Sequence, residues 1–247
     1  MKDIDNIKQR IAADDRLLCM HYAVIAGSHA YGTAVEGSDV DIRGWYFPPL
    51  NDLLGLANKR ENFIEYSDED VVFYTFHKFI HLLAQCNPNV VEQVGVPARC
   101  KIYVTPIGQK ILNNVELFLS KRAFQTFGGY ANKMLQRFEQ GIGHRNHKST
   151  EAKQWKHLSH LIRLLYTGID ILKYHRVITY RIKEHDLLMS IRHGEVSVEK
   201  IMDMRSKLEI QLQDAYDNTT LPAQVDLDKV NRLIVEIVVD YINSVKG

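Results

Sequence analysis

The segment GSHAYGTAVEGSDVDIRGWYFPP, Gly27 to Pro49, holds a Gly-Ser pair, ten intervening residues and then two aspartates one residue apart, Asp39 and Asp41. An apolar run, HYAVIA, precedes it, and SDVDIRGWYF reads as a second strand. Residues i and i+2 of a strand share one face, so the two carboxylates are expected to lie close together. Their mutual repulsion makes burial costly without compensation. A hard divalent cation resolves that conflict, because Mg²⁺ takes oxygen ligands, commonly one or two carboxylates together with water and substrate phosphates.

A phosphate-binding element belongs near such a pair. Gly27 lets a phosphate approach the backbone, and Ser28 with the amides of a helical turn over HAYGTA can donate hydrogen bonds. A third carboxylate on a neighbouring strand completes a two-metal site. Asp70, opening DVVFYTF, is the best placed, with Glu65 and Asp68 as rivals. Arg43 points to the same side as Asp41, where it can pair with the carboxylates or reach a phosphate. Tyr31, Gly32 and Tyr46 either shape a base or sugar pocket or belong to the core. Lys78 starts the helix after the Asp70 strand, as a triphosphate contact or a surface lysine, and Glu92 is a functional acid or a buried helix contact.

Short β-rich runs, HYAVIAG, SDVDIRGWYF, ENFIEYS and DVVFYTF, fill the chain to about residue 105, followed by a helix at HKFIHLLAQC. Asn87 caps and Pro88 opens the next short helix. Helical patterns then cover about 106–119, 121–140, 150–173, 183–191, 196–217 and 226–245. The expected fold class is α+β: a small mixed-sheet domain over 1–105 and a helical domain over 106–247. HRNHKSTEAKQWKHLSHLIR is the concentrated basic region, with Arg145, Lys148, Lys153, Lys156 and Arg163 against Glu151. Lys156, His160 and Arg163 fall at helical spacing on one cationic face, for a triphosphate, for an acceptor's phosphates, or for solvent. His157 and His160 form an H-x-x-H pair without the glutamate of zinc hydrolases.

Lys+Arg 31 against Asp+Glu 30 gives a net charge of +1, which removes any global basic field as an argument for nucleic-acid binding. Three cysteines without metal-type spacing fit reduced thiols in a cytoplasm. The first eighteen residues read as an amphipathic helix and not a signal peptide, and LIVEIVVDYI is too short to span a bilayer, so no membrane partner is expected.

Gly27-Ser28, then Asp39-Val40-Asp41, resembles the signature of the DNA polymerase β-type nucleotidyltransferase superfamily. With DIRG, KFIHLLAQCNPNVVEQV and KHLSHLIRLL, the chain is similar to the YcgL and RNA-ligase-associated polymerase (RlaP-like) type from about residue 20 to near the C-terminus. The resemblance implies metal-dependent transfer of a nucleoside monophosphate from a nucleoside triphosphate to a hydroxyl, with release of pyrophosphate. Asp39, Asp41 and Asp70 would be the catalytic carboxylates and ligands of Mg²⁺ or Mn²⁺. Ser28 would hold the β- and γ-phosphates, and Gly27, Arg43, Lys78, Lys156, His160 and Arg163 are, from the residues themselves, the further candidates to line the nucleotide. His29 stands where the family often has arginine. The name of the branch implies an RNA end as a candidate acceptor. The other reading is a nucleotide-binding regulatory or antitoxin-like interaction protein that keeps the fold without the chemistry.

Overall fold

The computed structural model describes residues 4–55, 63–66, 69–143 and 151–246. Five strands form one sheet: β1 (Met20–Ile25), β2 (Ile42–Tyr46), β3 (Phe63–Tyr66), β4 (Val71–Thr75) and β5 (Lys101–Val104), in the order β3-β4-β2-β1-β5. β2 and β4 run parallel, and the other neighbours are antiparallel. Four short helices accompany the strands: α1 (Ile4–Ala12), α2 (Gly27–Tyr31), α3 (Leu50–Leu54) and α4 (Phe76–Ala84). α5 (Pro88–Val94) precedes β5, and α6 (Pro106–Asn113) follows it. The rest is helical: α7 (Arg122–Gly143), α8 (Glu151–Tyr174), α9 (His185–Arg192), α10 (Val198–Asn218) and α11 (Leu227–Lys246). The architecture is α+β, as the sequence pattern predicts.

Strand alternation decides what each face of the sheet meets. Ala23, Ile42, Tyr46, Val71 and Phe73 pack with Ile7 and Ile11 of α1 in one apolar cluster. The opposite side chains, among them Tyr22, Val24, Trp45 and Phe47, enter a larger cluster that continues through Phe127, Leu161, Leu165 and Leu212 to Tyr241. That second face is turned toward the helices. It is also the face of the odd-numbered residues of β2, so Arg43, and Asp41 just ahead of the strand, are carried toward the helical half.

Caps match the composition. The Asn87 side chain accepts from Asn89 N with Pro88 in the first turn of α5, and the Thr105 and Ser197 side chains cap α6 and α10. α8 is buried on nearly all sides from Leu158 to Leu172, which fits its position between α7 and α10. Its long apolar run carries few strand-like breaks, and packing supplies most of its stability.

One expectation is corrected, and two elements are added to those read from the sequence. Asp39 and Asp41 precede the strand and are not part of it: β1 ends at Ile25 opposite Ile42, so the backbone ahead of Ile42 has no second ladder partner beyond the bond from Ala26 N to Asp41 O. The chain before it turns over Val35–Ser38, where Gly37 has a positive φ. β5 has no counterpart among the strand runs read from the sequence. It is four residues long with alternate residues exposed, and its identity comes from pairing with β1. α3 is likewise too short to register as a period. Among the described residues no helix is long and apolar enough to cross a membrane.

Candidate active site

β1 runs directly into α2 through Ala26, and the turn is made at Gly27, whose φ is +59°. The conformation itself favours glycine, and so does the space: a Cβ built there would lie 1.8 Å from Oδ2 of Asp41. Ser28 is buried, and its hydroxyl makes no hydrogen bond among the described residues. The far end of α2 is tied down at Gly32, whose carbonyl accepts from His185 Nε2 at 2.9 Å and whose Cα lies against the Tyr180 ring.

The parallel register pairs Ile42 with Val71, so the residues just ahead of each, Asp41 and Asp70, stand side by side. Ile42 N donates to Asp70 O at 2.8 Å and fixes that level. Arg43 holds both acids: its Nη2 donates to Asp41 Oδ1 at 3.0 Å and to Asp70 Oδ1, while Nη1 donates to the carbonyls of Ile42 and Asp70. Burial, then a hydrogen bond with Asp70, pushes the Asp41 carboxyl up to about 6 against the pull of Arg43 and Lys156. Burial also raises Asp70, but hydrogen bonds with Asp41 and Arg43 outweigh it and leave that carboxyl below its ordinary value. The two carboxyls therefore titrate as an interacting pair.

Asp39 is exposed, and it makes no contact with the other two acids that the structure records. Among the described residues no three His, Cys, Asp or Glu side chains are grouped closely enough to hold a metal ion. Glu65 is exposed on β3, and Asp68, Arg145 and Lys148 lie outside the described residues.

α8 supplies the other wall. Lys156, Ser159, His160 and Arg163 recur at helical spacing and line one cavity of about 200 Å³ with Gly27, Ser28, Tyr31, Thr33, Asp41 and Arg192. Arg163 is not free there. It is buried, forms a two-point ion pair with Glu92 (Nη1–Oε1 2.5 Å and Nη2–Oε2 3.2 Å), and lies 3.5 Å from the centre of the Tyr31 ring. The Tyr31 hydroxyl completes the network by donating to Glu92 Oε2 at 2.8 Å, and burial pushes that phenol well above its ordinary value. Arg163 Nη2 also donates to His160 Nε2 at 3.1 Å, which places the ring proton of neutral His160 on Nδ1. Burial, reinforced by Arg163, holds His160 well below its usual range.

Seven of the residues singled out in the sequence, Gly27, Ser28, Tyr31, Asp41, Lys156, His160 and Arg163, thus meet in one cavity. Arg43 and Asp70 join it through Asp41. Lys78 does not: it lines an apolar groove between α4 and α11 with Ile80, His81, Leu227 and Ile234. Of the two readings for Glu92, the structure shows a buried partner of an arginine. Arg192 was not legible beforehand. A lone arginine ending a short helix carries no motif; it lines the cavity because α9, which it ends, packs against α8.

A Gly-Ser turn after β1, facing two carboxylates set side by side just ahead of β2 and β4, is the arrangement expected of the polymerase β-type nucleotidyltransferase class. The chain belongs to the RNA repair pathway DNA polymerase beta family (RlaP), whose model matches residues 2–236. Among solved structures it is similar to a nucleotidyltransferase-like protein from Exiguobacterium sibiricum 255-15, at 12% identity and a TM-score of 0.30, over 87% of this chain and 73% of that one. No curated protein matches it.

Proposed function

We propose that the protein is a metal-dependent nucleotidyltransferase, moving a nucleoside monophosphate from a nucleoside triphosphate to a hydroxyl acceptor and releasing pyrophosphate. The observation that carries this reading is the single cavity in which the Gly27-Ser28 turn, Asp41 and the cationic face of α8 meet. A phosphate chain, a carboxylate-bound cation and an acceptor hydroxyl all need to be brought to one point for such a transfer.

Asp41 and Asp70 suit a hard divalent cation, Mg²⁺ or Mn²⁺, because both are oxygen donors at one level of neighbouring strands. The guanidinium of Arg43 between them shows that the pair accepts positive charge. Asp39, two residues upstream, would join them as ligand. Bound there, the ion supplies neutralisation of the triphosphate and of the departing pyrophosphate. The chain's own groups do the remaining work. Ser28 donates a hydrogen bond to a phosphate oxygen, Lys156 adds positive charge, and the Arg163–Glu92–Tyr31 network fixes the wall against which the nucleotide is oriented. An RNA end is the acceptor that the family's description favours. The mixed-sheet domain over 1–105 carries the acids and the turn, and the helical domain over 106–247 carries Lys156.

One observation favours the non-catalytic alternative: Arg43 already occupies both carboxylates. Pyrophosphate release separates the two readings. Each of the four triphosphates is incubated with Mg²⁺ and total RNA, for the wild-type chain and for Ser28→Ala and Lys156→Gln. Release that falls about tenfold or more in both variants supports transfer, and nucleotide binding without release under every acceptor supports the regulatory reading.

A further inference from the structure

Arg192 is half-buried at the C-terminal end of α9 and makes no hydrogen bond or ion pair among the described residues. A helix C-terminus favours a cation there, but its carbonyl field does not satisfy the five N–H donors of a guanidinium. The other groups around the same cavity repeat the pattern. The Nε–H of Arg163 is buried and has no acceptor, although the rest of that guanidinium is held by Glu92. Ser28 is nine-tenths buried, and its hydroxyl donates to no described residue. Lys156 makes no ion pair with a described residue. The one carboxylate in the wall, Asp41, is already engaged by Arg43 and Asp70. The cavity is therefore rich in donors and positive charge and poor in acceptors.

We propose that Arg192 is an oligophosphate-binding residue: with Lys156 and Ser28 it forms an anion pocket that takes a tri- or pyrophosphate chain, and it sets the preference for substrates by the charge of that chain. The group that answers these three donors at once is compact, acceptor-rich and multiply anionic. A phosphate chain meets each condition. At about 200 Å³ the cavity is below the roughly 300–1,000 Å³ of pockets that enclose a drug-sized ligand. It suits the tail of a nucleotide, with the nucleoside outside. The inference rests on the nucleotidyltransferase reading for the identity of that nucleotide, but the anion pocket itself is tested without one.

Calorimetry of the full chain in EDTA, with inorganic tripolyphosphate and then inorganic phosphate as probes, measures it directly. Wild type is expected to bind tripolyphosphate at least about tenfold more tightly than phosphate. Arg192→Gln is expected to lose about tenfold or more of the tripolyphosphate affinity, and Arg192→Lys to lose less. The ligand-free melting temperature of Arg192→Gln should be equal to or above that of wild type, because the substitution removes a partly desolvated charge that no described residue pairs. A structural arginine would lower it. Equal tripolyphosphate affinity in wild type and Arg192→Gln overturns the proposal and leaves the transfer reading untouched. A lower melting temperature with unchanged selectivity for tripolyphosphate over phosphate overturns it as well. Tight, Arg192-dependent binding in a chain that releases no pyrophosphate from any triphosphate supports the pocket and defeats the transfer reading.

Discussion

Gly27 and Asp41 interlock: the carboxylate occupies the space in which any other residue at position 27 would place its Cβ, 1.8 Å from Oδ2. The turn that presents Ser28 and the acid that faces it are therefore built as one object. Gly27→Ala must push the carboxylate away and must also hold alanine at φ +59°. The backbone conformation alone costs about 1–2 kcal/mol. A loss of that size in urea unfolding, together with at least about a tenfold fall in nucleotide affinity, is the expected outcome. Wild-type affinity in Gly27→Ala would separate the turn from the acid.

Arg43→Met removes the cation shared by Asp41 and Asp70. Two adjacent carboxylates then face each other without compensation, and divalent-ion affinity measured by calorimetry in the absence of nucleotide should rise. The exposed side of Asp70 limits the stability change to about 1 kcal/mol. Unchanged Mg²⁺ or Mn²⁺ affinity would mean that Arg43 and the metal do not compete for these oxygens.

Glu92→Gln leaves the buried Arg163 guanidinium without its counter-charge. Breaking such a pair costs about 3–5 kcal/mol, against about 1 kcal/mol for Tyr31→Phe, which removes a single hydrogen bond to the same acid. Denaturant unfolding of the two variants ranks them, and the reverse order would show that the phenol and not the arginine holds the network.

His21 gives the fold a pH dependence away from the site. It is buried against Trp45, Phe47 and Tyr241, with Nδ1 2.8 Å from Thr105 Oγ1, and burial pushes its pKa down to about 4. In the unfolded chain it titrates near 6.5. The unfolded state therefore binds more protons between these values, and stability is complete above about pH 6.5 and falls as the pH drops toward 4. The full contribution is about 3 kcal/mol. His21→Phe should flatten that part of the profile; an unchanged slope would assign it to other groups.

Where the sequence could be read, the reason was periodicity or local chemistry. α7, α8, α10 and α11 fall within a few residues of their patterns, and Asn87-Pro88 marks the start of α5 because capping is a local event. The Gly-Ser turn and Asp41 were legible for the same reason. What could not be read depends on contacts far apart in the chain. Arg43 could equally have reached a phosphate, and its choice of Asp70 follows from the parallel pairing of β2 with β4. Arg163 looked like a free cation until Glu92, 71 positions earlier, was brought against it. Arg192 lines the cavity through the packing of α9 on α8, which no spacing encodes.

The central claim is transfer at the Asp41 and Asp70 carboxylates, and the most direct measurement follows the α-phosphate. The full chain is incubated with α-labelled triphosphate, Mg²⁺ or Mn²⁺ and total RNA, beside Asp41→Asn and Asp70→Asn that retain the wild-type melting temperature within a few degrees. The account predicts label covalently joined to an acceptor with wild type, and a loss of about a hundredfold or more in each variant. Label transferred equally well by Asp41→Asn would contradict it.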